Sequence, residues 1–167
     1  MVRVEAVLQS WKSIREDAAQ AVDDFAGEDL EFRATPDLQS FRDIAVHILQ
    51  AGHCLTGVLR DGVENLATPE LREILTRHQL PLPADAGADV LSRELRRSVE
   101  TRCEELAGRP PEFWAGMMTR WDGEQLTRLE MLQWIKEHEL THRSQLFLYL
   151  RLRGIVPVTT RRRTAKE

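Results

Sequence analysis

Two histidines four positions apart, His138 and His142, are the residues of this 167-residue chain whose spacing most directly implies chemistry. They stand in the run Lys136-Glu137-His138-Glu139-Leu140-Thr141-His142-Arg143-Ser144-Gln145. That run lies inside a stretch, Thr127 to Arg153, without Gly or Pro. Apolar residues recur there at helical spacing: Met131, Ile135, Leu146, Tyr149 and Leu150. At about 100° per residue both imidazoles fall in the middle of this stripe. Side chains four apart lie one helical turn apart on the same face, close enough to share one metal ion. The bland alternative is a pair of core histidines, each with its own hydrogen-bond partner. Burying two neutral imidazoles without partners is costly, which favours a shared ligand.

The same letters spell His-Glu-x-x-His, the zinc site and general base of many metalloproteases. Such enzymes take a third ligand from further down the chain. After His142 there is no His or Asp, and Glu167 is the one remaining Glu. A third protein ligand therefore has to come from upstream, which argues against a protease of that kind.

Four amphipathic helices can present such a ligand. The first is expected over residues 2–25, with Val4, Val7, Leu8, Trp11, Ile14, Ala18, Val22 and Phe25 on its apolar side and Gly27 beyond its end. The second starts at Ser40, an N-cap answered by Asp43, and stops at Gly62. His47 lies on the shoulder of its apolar face, about 70° from the centre. His53 points the other way, with Gln50 and Arg60, and is expected to face water. Cys54 is about 10 Å along the axis from His47, too far to bind the same ion, and reads as core.

Residues 62–88 form a long connection. Thr68-Pro69 opens a short helix to about His78, which reads as a surface residue favoured by the helix dipole. The third long helix covers 86–107, with Leu91, Leu95, Val99, Cys103 and Leu106 inward. A loop rich in bulky apolar residues follows, from Gly108 to Gly123. It is expected to close the end of the bundle, with Phe113, Trp114 or Trp121 available to wall a pocket. The fourth helix opens on the capping box Thr127…Glu130 and ends at Gly154, with Pro157 just beyond. Nothing reads as a strand. The fold class is therefore all-α: a four-helix bundle with a long crossover between helices two and three, one domain over 1–157 and a basic tail over 158–167.

In such a bundle His47, His138 and His142 can meet. Three neutral imidazoles suit Zn²⁺, Ni²⁺, Fe²⁺ or Cu²⁺ far better than Ca²⁺ or Mg²⁺. Three protein ligands leave a position open for water or substrate, the mark of a catalytic site.

The motifs Ser40-Phe41-Arg42-Asp43-Ile44-Ala45-Val46-His47-Ile48, His138-Glu139-Leu140-Thr141-His142-Arg143-Ser144-Gln145-Leu146 and Gly154-Ile155-Val156-Pro157 resemble, in order and spacing, the DinB-like superfamily of bacterial metalloenzymes. The resemblance covers nearly the whole chain. It implies a four-helix bundle holding a divalent transition metal, zinc or nickel foremost, on His47, His138 and His142. It also implies frequent homodimers, and relatives that join a low-molecular-weight thiol to an electrophile. Arg143 loosely matches a basic position of the family.

The function expected is thus a metal-dependent thiol transferase acting on a small-molecule substrate. The alternatives are a metal-dependent hydrolase, or a bundle that binds a metal or small molecule without turnover. Glu139 and Arg143 are the candidate catalytic residues. Glu139 is on the inner side of its helix and Glu137 points away; an ion pair between Glu139 and Arg143 is the plainer expectation. The net charge of −4 gives no nucleic-acid footprint, and Arg161-Arg162-Arg163 reads as a solvated tail. No apolar run approaches the ~18 residues of a membrane span, and the N-terminus lacks the apolar core of a signal peptide. Two cysteines make no disulfide framework, so a reducing cytoplasm is the expected compartment.

Overall fold

The computed structural model describes residues 3–165. Residue 2, the expected start of the first helix, and Glu167 lie outside that range. Four long helices carry the fold: α1 (Val4–Asp24), α2 (Phe41–Arg60), α4 (Ala88–Ala107) and α6 (Arg128–Leu152). A short α3 (Leu71–Thr76) sits in the long connection, and α5 (Pro111–Ala115) follows α4. Strands β1 (Met117–Thr119) and β2 (Gln125–Thr127) precede α6, and α7 (Val158–Thr164) ends the described chain. No helix among the described residues is long and apolar enough to cross a membrane.

Local chemistry sets the helix ends. Ser40 Oγ accepts from Asp43 N at 3.0 Å, and Ser40 N donates to Asp43 Oδ2 at 3.0 Å. Thr127 and Glu130 form the same reciprocal cap on α6. Each cap satisfies amides that the helix itself cannot. At the far end of α6, Gly154 adopts φ +76°. Its N–H donates to Arg151 O, and the N–H of Ile155 donates to Leu150 O at 2.9 Å. This left-handed turn favours glycine and satisfies the last carbonyls.

The ends of the helices sort into two apolar clusters. The C-terminal halves of α1 and α6 meet the N-terminal halves of α2 and α4 around Phe25, Phe41, Leu91 and Tyr149. The opposite halves meet around Trp11, Leu59, Leu106 and Ile135. So α2 and α4 run parallel, as the long crossover between them allows, and α1 and α6 run against them.

Between the clusters lies a buried ion pair. Arg15 of α1 and Glu139 of α6 have no exposed side-chain surface. Arg15 Nε donates to Glu139 Oε2 at 2.9 Å, and Nη2 donates to the other carboxylate oxygen. Nη1 donates to Ser98 Oγ of α4 at 3.0 Å, and Nη2 also reaches Ile48 O of α2 at 3.3 Å. One guanidinium thus touches all four long helices. Gly52 of α2 makes room: a Cβ there would collide with both Glu139 and Arg15.

Several expectations are corrected. Glu139 pairs with Arg15, not with Arg143. Its partner is 124 positions away and invisible to helical spacing. Arg143 donates instead to Asp17 Oδ2 at 3.1 Å. The end of the chain is not simply a solvated tail: Val158 is buried, and Arg162 of α7 donates to Asp17 Oδ1 at 2.6 Å. The stretch after α5 is a hairpin, not a strandless loop, with Met117 opposite Thr127 and Met118 opposite Leu126. Asp122-Gly123 makes its turn, with Gly123 at φ +86°, a cue readable in the sequence. Trp114 and Met118 are buried in the core cluster, so this segment does close the bundle end.

Removing one partner of a buried pair leaves the other charged and unmatched, a loss of about 3–5 kcal/mol. Glu139→Leu is expected to lower the unfolding free energy by that order. The double change Arg15→Met with Glu139→Leu should recover much of it, and denaturant titration of the three proteins reads the difference.

Candidate metal centre

His47 extends from α2, and His138 and His142 extend from α6. These two helices pack against each other, which brings the three imidazoles together. His47 Nε2 lies 3.2 Å from His138 Nε2, and His142 Nε2 lies 3.1 Å from His138 Nε2. One ligand atom from each lies within 4.8 Å of the others. Nitrogens that share one zinc ion at ~2.0–2.1 Å in tetrahedral geometry stand roughly 3.3–3.4 Å apart. The trio fits a divalent transition metal by donor type and by spacing. Among the described residues it is the one such group of His, Cys, Asp and Glu, and Cys54 is not part of it.

The surroundings prepare the nitrogens for ligation. His142 Nδ1 donates to Gln145 Oε1 at 2.7 Å, which leaves the Nε2 lone pair pointing at its neighbours. A hydrogen bond of this kind fixes the tautomer and ring orientation of a ligating histidine. The His138 ring stacks on Trp134, one turn earlier on α6, with centroids 5.2 Å apart and planes 19° apart. Sequence reasoning assigned no role to Gln145 or Trp134, although both lie within one helical turn of a histidine. Burial, then the neighbouring imidazoles His142 and His47, push His138 down to about 4 from an ordinary 6.5. Burial first, and His142 second, also lower His47. Neutral imidazole is the form that binds a metal.

A cavity of about 470 Å³ adjoins the trio and is lined in part by His47 and His138. Trp121, but neither Phe113 nor Trp114, contributes to its wall. Cys54 is buried, as expected of a core residue, and also borders this cavity. The two catalytic candidates are engaged elsewhere: Glu139 is enclosed with Arg15, and Arg143 is held by Asp17 and stacks on Phe147.

The remaining histidines lie outside the trio, as expected, but not in water. His53 is half-buried, because α4 covers the flank of α2 that a single-helix projection leaves to solvent. Arg102 Nη2 donates to His53 Nε2 at 2.8 Å, and Arg102 Nε donates to the His53 carbonyl at 3.2 Å. Burial and then Arg102 lower His53 to about 4. His78 is largely covered, with Nε2 3.2 Å from Asp61 Oδ2. Burial lowers its pKa, against the opposing pull of Asp61.

These lowered values have a sign. Below an ordinary pKa of 6.5 the unfolded chain takes up protons that His53 and His138 refuse until about 4. The native state therefore loses stability as pH falls through that window and is unaffected by these groups above it. The melting temperature of the metal-free protein is expected to be level above neutrality and to drop from pH 6.5 toward 4. His53→Gln should flatten part of that slope, and differential scanning calorimetry across the range tests it.

Comparison with curated proteins finds no match. Among solved structures, the chain is similar to the crystal structure of a DinB-like protein, YjoA, from Bacillus subtilis. The two share 18% identity, with 89% of this chain and 92% of that one covered and a TM-score of 0.68. At that identity the likeness establishes the fold. The DinB family matches residues 1–167, and with the helical bundle and the histidine motifs in register, the chain belongs to the DinB family.

Proposed function

We propose that this DinB-family protein is a divalent-metal-dependent transferase that joins a low-molecular-weight thiol to an electrophile. The observation that carries the reading is the convergence of three imidazole nitrogens beside a cavity that His47 and His138 border. A cation held by His47, His138 and His142 supplies the positive charge that keeps an added thiol in its thiolate form near neutral pH. Gln145 orients His142, and Trp134 limits rotation of His138.

His47→Ala, His138→Ala and His142→Ala should each remove most of the metal measured by elemental analysis. His53→Ala and His78→Ala should leave it. Gln145→Ala should weaken metal affinity by about 10–100-fold, as loss of an orienting partner does. In the cobalt-loaded protein, the correct thiol should add a charge-transfer band. Its apparent affinity should rise with pH toward the thiol's own pKa, about 8.5. A panel of thiols that leaves the spectrum unchanged over roughly pH 6 to 9 would remove the transferase reading, leaving a thiol-independent hydrolase or a non-catalytic binding bundle.

We also propose that the protein acts as a homodimer. Leu140, Leu148 and Leu152 lie at multiples of four residues along one ridge of α6 and are 36%, 53% and 54% exposed. A second copy would cover this ridge. Light scattering should then give about twice the 19.2 kDa chain mass, and the mass of a single chain would exclude the dimer.

A further inference from the structure

The cavity beside the imidazoles has a chemical character that narrows its substrate. Its volume, about 470 Å³, lies within the ~300–1,000 Å³ of small-molecule sites. Leu55 of α2, Leu71 and Leu75 of α3, and Trp121 and Trp134 make its apolar wall. Among the described residues that line it there is no Asp, Glu, Lys or Arg.

Its polar side chains are mostly committed. Gln50 Nε2 donates to Leu80 O at 2.8 Å, and Gln50 Oε1 accepts from Leu80 N at 3.0 Å. The Thr76 hydroxyl donates to Arg72 O at 2.7 Å. Nearby cations are diverted as well. Arg120 pairs with Asp122 and Glu124 and stacks on Trp121 and Trp134, while Arg143 is bound to Asp17. A charged group entering the metal-free cavity would lose hydration and meet no counter-charge among the described side chains that line it.

The short helix α3 adds an independent observation. It has no fully buried residue, yet Leu71 and Leu75, one turn apart, are half-buried and border the cavity. They pack against the second core cluster on one side and border this space on the other.

Resting on the reading of the trio as the active centre, we propose that the substrate taken by this cavity is an uncharged, apolar, aromatic-sized molecule. It sits between the α3 leucines and the Trp121–Trp134 pair. The charged parts of a thiol co-substrate stay outside, and Leu71 and Leu75 determine specificity.

N-phenyl-1-naphthylamine is an uncharged fluorescent probe of this shape, and 8-anilinonaphthalene-1-sulfonate is the same ring system bearing a sulfonate. Both are titrated into the metal-free full chain. The uncharged probe should bind one per chain, about tenfold or more tighter than the sulfonate. Leu75→Asp should weaken the uncharged probe about tenfold or more, with circular dichroism and melting temperature confirming the fold. Leu71→Asn gives the same reading if the first variant fails to fold. Equal or tighter binding of the sulfonate, or uncharged-probe binding unchanged in a folded variant, would overturn the proposal. Neither measurement uses a thiol, so failure of the transferase chemistry leaves this result readable. A cobalt–thiol response without probe binding would sink the substrate class alone.

Discussion

The constraint on which the bundle depends is the enclosed ion pair of Arg15 and Glu139. A buried guanidinium must have its donors matched, and here a carboxylate on α6, a hydroxyl on α4 and a carbonyl on α2 match them. That requirement restricts how the four long helices can slide or rotate against one another. Two of the three bonded groups are immediate chain neighbours of the site: Ile48 follows His47, and Glu139 follows His138. A pair that fixes helix register therefore also fixes where two of the three imidazoles stand. Gly52 belongs to the same device, because any side chain there would occupy the pair's space.

The electrostatics of the centre follow from how the chain disposes of its arginines. Arg15 is absorbed by Glu139, Arg143 and Arg162 by Asp17, Arg120 by Asp122, and Arg102 by Glu105. Among the described residues the imidazole trio has no neighbouring carboxylate ligand, and an apolar cavity lies on one side. Burial first, and neighbouring imidazoles second, lower the pKa of His47 and His138, which favours the neutral form whose lone pair can bind a cation.

Much of the fold was legible because its determinants are local. The boundaries of α2 and α6 follow from Ser40 with Asp43, from Thr127 with Glu130, and from Gly154, interactions that span only a few residues. The length of the connection between α2 and α4 allowed a parallel course, and the two core clusters decide it. The hairpin was overlooked because its strands are only three residues each, too short for an alternating pattern to show. Its turn pair, Asp122-Gly123, was the available cue.

The sequence by itself determined the helical periodicity, the caps and the one-turn spacing of His138 and His142, because angle along one helix and spacing of one turn are intrachain quantities; that His47 joins them is decided by the packing of α2 on α6. Only the tertiary structure decided which charges pair. Glu139 faces inward by its angle, but Arg15, not the neighbouring Arg143, is its partner, since partners on different helices are chosen by packing. Only the tertiary structure, too, placed His53 and His78 under cover, because a helix wheel has one inside and α2 has neighbours on several flanks. The cavity wall is of the same kind: Leu71, Trp121 and Leu55 lie far apart in the chain, and nothing short of the folded bundle brings them beside the imidazoles.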